Sequence, residues 1–228
     1  MNARAAVVVI NLKHRTDRRR AMERQLSRIG WNASFFQAIR PEAADDFPSI
    51  GARGCFLSHL SVLKEARNTG ARRLVILEDD VNFSPAFAQH WAAANTALEH
   101  LEWSIFYPGH LIADLPPGLS RIAPSTTIQC AHFMVINGPA ISTLITGLER
   151  ILSRPAGHPL GGPMHVDGAY STLRMQDHTL ATYAYFPSLG YQRPSRTDIG
   201  HLKWFDRIRP LTPLMSFARA LRPSRRER

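Results

Sequence analysis

The stretch RRLVILEDDVNFSP, Arg72 to Pro85, sets four aliphatic residues, Leu74 to Leu77, directly before three carboxylates, Glu78, Asp79 and Asp80. The apolar run is short, bounded by charge and rich in branched side chains, so it reads as a buried strand rather than a helix. In an open α/β sheet, ligands bind at the carboxyl end of a central strand. Adjacent carboxylates there repel one another and are costly to desolvate unless something positive sits among them. A hard divalent cation, Mn²⁺ or Mg²⁺, is the simplest such partner, because these ions take oxygen ligands and commonly bind through one or two carboxylates plus substrate phosphates. The alternative is three solvated acids opening a surface loop. Position after a strand favours the cleft.

At 228 residues the chain is long enough for one substantial core, an α/β domain over 1–202 followed by an appendage over 203–228. No apolar run is long enough to span a bilayer, and MNARAAVVVINL reaches polar residues too soon for a signal peptide, so a cytoplasmic location is expected. Cys55 and Cys130 lack CxxC spacing, which argues against both a structural disulfide and a zinc site of their own. The formal charge of +10 is uneven: from Lys203 onward eight Lys or Arg stand against Asp206 and Glu227. A mildly basic body with a basic tail fits a whole-surface nucleic-acid binder poorly, and no nucleic-acid partner is expected.

Ala5 to Ile10 reads as the first strand and ends in NLKHRTDRRR. Thr16 or Asp17 can cap a helix with Met22, Leu26 and Ile29 on its buried stripe and Gly30 as its terminator. The loop between them carries Asn11, Arg15 and Arg18, groups able to hydrogen-bond a base or ribose and to neutralise phosphate. Each Arg taken singly is equally a solvated charge at a helix start. Ala33 to Ala38 is expected as a second strand, and a helix from about Gly54 to Asn68 carries Ser58 and His59 in its early turns. A lone helical His is more often packed or surface-exposed than functional.

Ser84 with Pro85 is expected to open another helix, Ser104 to Tyr107 to form a short strand, and Pro108 to Pro124 to be loop. Thr127 to Ile136 reads as a β segment with Cys130 and His132 alternating on one face, and Asn137 with Pro139 opens a helix. Asp167 falls at a loop-helix junction, either aimed into a cleft or acting as a plain N-cap. Thr179 to Tyr185 is the last clear strand. FPSLGYQRPSRTDIGH then reads as an extended polar loop, whose Arg193, Ser195, Arg196 and Asp198 suit phosphate or sugar contacts. In the tail, Trp204, Phe205, Phe217 and Leu221 interleave with Arg, a pattern that fits a segment on an anionic membrane surface and equally one packed on the domain.

In order along the chain, INLKHRTDRR, GCFLSHLSVLKEA, RRLVILEDDV, AHFMVI, HVDGAYSTL and SLGYQRPSRTDI resemble the motifs of glycosyltransferase family 25, the family of bacterial lipooligosaccharide galactosyltransferases. The resemblance runs from Val7 to about Ile199; Ala52 departs from it, where relatives often carry Glu. It implies an α/β fold of GT-A type, a Rossmann-like nucleotide-sugar-binding domain with a mostly parallel central sheet flanked by helices. It also implies inverting, metal-assisted transfer of a hexose, galactose from UDP-galactose, to a glycan or glycolipid acceptor in lipopolysaccharide or related cell-surface synthesis.

Carried over by position, Asp80 is the metal ligand for Mn²⁺ (or Mg²⁺), with His201 as a further contact, while Glu78 and Asp79 orient the ribose and second-shell waters. Asn11, Arg15 and Arg18 line the uridine and phosphate side, Ser58 and His59 form part of the cleft, and Arg193, Ser195 and Asp198 contact the donor. Asp167 is the candidate base, with Asp198 in reserve. A glycolipid acceptor and the basic tail together suggest peripheral attachment to the inner membrane. Two other classes compete: nucleotidyl or phosphoryl transfer, against which stands the lack of any GxxxxGK[ST] phosphate loop, and a non-catalytic, transferase-like binding module docking on a membrane or another partner.

Overall fold

The computed structural model describes residues 5–193; Ser195, Asp198, His201 and the 203–228 tail lie outside the described residues. In chain order the elements are β1 (Ala5–Asn11), α1 (Thr16–Ile29), β2 (Ser34–Gln37), α2 (Ile50–Asn68), β3 (Arg73–Glu78), β4 (Val81–Phe83) and α3 (Phe87–Glu99). They continue with β5 (Ile105–Gly109), β6 (Gly118–Ile122), β7 (Phe133–Asn137), α4 (Gly138–Leu152), α5 (Val166–Gln176), β8 (Thr182–Phe186) and β9 (Gly190–Gln192). Seven strands form one sheet in the order β2-β1-β3-β7-β5-β8-β6, and five of them point the same way, with β7 and β6 reversed.

β3 occupies the middle because its side chains can be buried on both faces. Leu74 and Ile76 face a core built with Phe56, Leu63, Leu144 and Tyr170 from α2, α4 and α5. Val75 and Leu77 face the opposite core, where Met22, Leu26, Trp31 and Phe87 pack. All four are at most 2% exposed, and each contributes about 2 kcal/mol of burial free energy. On the second face Trp31 meets Phe83, Phe87, Trp91 and Phe133 edge-on at centroid distances of 4.8–6.3 Å, the arrangement that ring quadrupoles favour.

Helix ends follow local chemistry in part. α1 stops at Gly30, whose left-handed φ of 69° lets Trp31 N donate to Leu26 O. Its N-cap is Arg15, without a side-chain cap bond, so neither Thr16 nor Asp17 caps it as expected. α2 begins four residues earlier than Gly54, because the Ser49 hydroxyl accepts from Ala52 N at 3.0 Å and supplies the true cap. α3 starts at Phe87, after Ala86, rather than at Ser84. Asn137 caps α4 as expected, its side chain accepting from Gly138 N at 3.0 Å.

Three expectations fail where pairing is decided at long range. Within the segment read as loop, β6 adds an antiparallel edge to β8. The polar FPSLGYQRP segment contains β9, which pairs with β4 in a separate two-stranded ladder. The β segment expected from Thr127 begins only at Phe133: Cys130 has φ 72° and lies in a loop, so Cys130 and His132 do not alternate along a strand. That loop is anchored by Arg174, 1% exposed, which donates to Thr182 Oγ1 at 2.9 Å and to Thr126 O and Ala123 O at 2.8 Å each. Both cysteines are free.

Candidate active site

The site forms where β1 and β3 end side by side. Ile10 is the register partner of Glu78, so Asn11, the last residue of β1 and still paired with Gln37, lies beside Asp79, the first residue beyond β3. Beside them lies a cavity of about 320 Å³, bordered by Arg18, Cys55, Ser58, Glu78, Asp80 and Gln192, with Ile10, Leu12, Ile39 and Ile50 as its apolar wall. That volume is within the range of small-molecule sites, roughly 300–1,000 Å³. His14 and Arg40 also border it; sequence reading did not single them out, and no spacing marks them. Gly54 sits at the edge of the cavity: a Cβ there would collide with Ile39 O, so the β2–α2 connection approaches the helix only because this residue has no side chain.

The three carboxylates receive three different environments. Asp79 is clamped, accepting from Asn11 Nδ2 at 2.7 Å and from Arg18 Nη1 at 2.8 Å, while Arg193 Nη2 donates to its backbone oxygen at 3.1 Å. Asp80 is 9% exposed and lies 3.4 Å from Arg18 Nη1 through Oδ2, but its Oδ1 has no hydrogen-bond partner among the described residues. Burial, and next the Glu78 charge, push Asp80 up to about 7, against the pull of Arg18. Glu78 goes the other way: burial alone would raise it, but His59 facing it, with His132 and Arg18 near, holds it below its ordinary value.

Ser58 and His59 make contacts that hold elements together. The Ser58 hydroxyl borders the cavity, yet it donates to Gly54 O at 2.6 Å and accepts from Ile39 N at 2.8 Å, tying α2 to the connection after β2. His59 is 0% exposed and does not border the cavity; its Nδ1 is 3.3 Å from Tyr170 Oη and its Nε2 is 3.9 Å from Glu78 Oε1. Arg15 is likewise turned from the cavity toward Asp17, making paired contacts of 3.0 Å that hold the Asp17 carboxyl at about 2.

On the far side the β4–β9 ladder delivers two residues. Val81 is the partner of Gln192, whose Nε2 donates to Glu78 Oε2 at 3.3 Å, and Arg193 N donates to Asp80 O at 2.7 Å. Gln192 also accepts from Cys130 Sγ at 3.5 Å, and Cys130 N donates to Asp167 Oδ2 at 3.1 Å. Asp167 is therefore a half-buried residue of the first turn of α5, its Oδ1 accepting from Gly168 N at 2.8 Å, and the N-cap is His165 instead. Its charge belongs to the same neighbourhood as Glu78 and Asp80, since after burial these three push the Cys130 thiol up to about 11. Gln192 and Tyr170 lie within the SLGYQRPSRTDI and HVDGAYSTL motifs, but their contacts follow only from the pairing of distant segments.

The residues present fit a hard cation. Asp80 Oδ1 is a buried acceptor without a partner, Glu78 is kept anionic beside it, and oxygen donors suit Mn²⁺ or Mg²⁺. Asp79, with both oxygens engaged, is a support for its neighbours. Cys55, His59 and Glu78 form a second, softer donor group whose ligand atoms lie within 4.8 Å of one another. Burial, and then the charges of Glu78 and Asp167, push the Cys55 thiol well above its ordinary value.

Residues 5–111 match the model of the family described as Glycosyltransferase family 25 (LPS biosynthesis protein). A glycosyltransferase 25 family member of Drosophila melanogaster is 30% identical over 125 residues, covering 45% of this chain and 20% of the relative. Procollagen galactosyltransferase 1-B of Xenopus laevis is 29% identical over 206 residues, covering 78% of this chain and 32% of the relative. The chain thus spans a third or less of the length of these relatives. A glycosyltransferase involved in glycosylation of the major capsid of PBCV-1 overlaps 81% of this chain and 93% of its own with a TM-score of 0.41 and 13% identity, a likeness of outline.

Proposed function

We propose, from the match of residues 5–111 to the glycosyltransferase family 25 model, that the chain transfers a hexose from a nucleotide-sugar, galactose from UDP-galactose, to a glycan acceptor with inversion. The observation that carries this reading is the unpartnered, buried Asp80 Oδ1 beside the cavity at the end of β3. An acid kept dry, neighboured by an anionic Glu78 and an Arg, suits a cation and a diphosphate better than it suits a surface loop.

In this reading Asp80 and Glu78 hold Mn²⁺ (or Mg²⁺), which when bound supplies Lewis-acid neutralisation of the leaving diphosphate. Asn11 and Arg18 keep Asp79 fixed, so the turn carrying Asp80 is pre-organised. Arg18 and Arg40 border the cavity where phosphate charge is placed, and Ile10, Leu12, Ile39 and Ile50 exclude water from the nucleoside. Asp167, which does not border the cavity but is linked to it through Cys130 and Gln192, is assigned the proton of the acceptor hydroxyl as the new glycosidic bond forms and UDP departs. The acceptor in this proposal is a surface glycan or glycolipid of the lipopolysaccharide kind, with the 203–228 tail docking on an anionic inner-membrane surface from the cytoplasmic side.

The test is a donor screen: the full chain with each common UDP-sugar, with Mn²⁺ or EDTA, reading UDP release and binding, repeated for Asp80→Ala. Metal-dependent release from one sugar, lost in the variant, supports the transferase. Tight, metal-dependent binding without release under any acceptor tried favours the non-catalytic module. Absence of UDP-sugar binding sinks both.

A further inference from the structure

A fully buried histidine needs partners for its ring nitrogens, and among the described residues His59 has one within hydrogen-bond distance. It sits at 0% exposure on α2, one turn after Cys55, and its Nε2 has no hydrogen-bond partner among the described residues. Its Nδ1 lies 3.3 Å from the hydroxyl of Tyr170, itself fully buried on α5. A carboxylate opposite Nε2 selects the tautomer with the proton on Nε2, because a ring lone pair there would face an anion; Tyr170 O–H then donates to Nδ1. The outcome is a directed chain, Tyr170 O–H to His59 Nδ1 and His59 Nε2–H toward Glu78 Oε1, closed on the other side by Gln192 Nε2 on Glu78 Oε2.

We infer that His59, set by Tyr170, is a positioning residue that aims the Glu78 carboxylate at the cavity floor for nucleotide-sugar binding. The inference rests on the proposed transferase reading for its consequence, and on geometry alone for the contact. At 3.9 Å the pair is about an ångström longer than a formed hydrogen bond, and contacts of this kind commonly shorten when substrate binds. Neither motif residue would show this role by itself: GCFLSH places His59 on a helix, and LEDD places Glu78 at a strand end 19 residues later, and only the packing of α2 on β3 makes them face one another.

The experiment has two independent readings. In ¹⁵N-His-labelled full-length protein, Glu78→Gln is expected to shift the His59 ring resonances; unchanged resonances would overturn the contact whether or not the protein binds UDP-sugar. In donor binding and kinetics with Mn²⁺, His59→Asn is expected to raise the donor KM about tenfold or more, the cost typical of losing a support behind a ligand, with a smaller change in kcat. His59→Gln, which can again present an N–H to Glu78, restores part of it. The double variant His59→Asn/Glu78→Gln is expected to be no worse than Glu78→Gln. Multiplicative losses would overturn the inference, as would a lowered melting temperature in His59→Asn with donor KM unchanged. Stoichiometric zinc in the purified protein, lost in Cys55→Ser, would also overturn it, by making Cys55, His59 and Glu78 a metal site. If the wild-type chain binds no UDP-sugar while the resonances still shift, the transferase reading fails and the contact stands.

Discussion

Asn11 and Asp79, 68 positions apart, are joined at 2.7 Å because their strands run parallel with Ile10 opposite Glu78. That one register places a neutral donor under a buried carboxylate, leaves Arg18 to satisfy its other oxygen, and so frees Asp80 to point elsewhere.

Removing the donor leaves a buried charge half satisfied. Asn11→Ala is expected to lower stability by about 1–3 kcal/mol, measured by urea denaturation, and to weaken UDP binding as the turn holding Asp80 loosens. Asn11→Ala with unchanged urea midpoint would show that the bond contributes nothing.

The folded protein holds a proton on Asp80 that the unfolded chain releases, since the carboxyl is raised from 3.8 to about 7. Its contribution is therefore fully present below pH 3.8 and is lost as pH rises toward 7, with a slope of at most about 1.4 kcal/mol per pH unit. Asp80→Asn is expected to remove that fall and to be the more stable protein at pH 8. Parallel stability-pH curves for the two proteins would contradict the assignment.

Gly54 lets the Ile39 segment close onto α2 at the edge of the cavity. Gly54→Val is expected to push the Ile39 segment outward, costing about 1–3 kcal/mol and reducing affinity for UDP, whereas Gly70→Ala, at a glycine with nothing near its Cβ position, is expected to affect stability through backbone strain without changing UDP affinity. Equal UDP affinities for Gly54→Val and wild type would show that the β2–α2 connection is not part of the site.

Arg174 holds the loop that carries Cys130 toward Asp167. Arg174→Leu fits the space but abandons the carbonyls of Ala123 and Thr126, and a loss on the order of 3 kcal/mol is expected in guanidinium denaturation. Donor binding at low temperature is expected to persist, because none of the groups bordering the cavity is Arg174.

Where the sequence is legible, the reason is local. The run Leu74 to Leu77 reads as a buried strand because four successive apolar residues can leave water on both faces only inside a sheet, and the acids after it end at a cleft because strand ends do. Asn11, Arg18, Glu78, Asp79 and Asp80 come together at the end of β3, while Arg15 and His59 do not border the cavity. What stayed hidden was set by contacts between distant segments: β4 and β9 are three residues each and carry no periodic signal, so the strand that delivers Gln192 looks like polar loop until it finds its partner. Cys130 and His132 alternate in sequence, but the backbone turns at Cys130 with φ 72° and dissolves the alternation.

The sequence by itself determined the central strand, the acidic end, the helices that sandwich the sheet and the match of residues 5–111 to the family model. Those follow from hydrophobic period and side-chain chemistry, which act within a few residues. Only the tertiary structure decided which of three adjacent carboxylates is clamped, which is kept anionic and which keeps one oxygen without a hydrogen-bond partner among the described residues. Neighbouring acids share one composition, but successive side chains leave the backbone in different directions, and each meets whatever donors the packing of α1, α2 and β9 happens to bring.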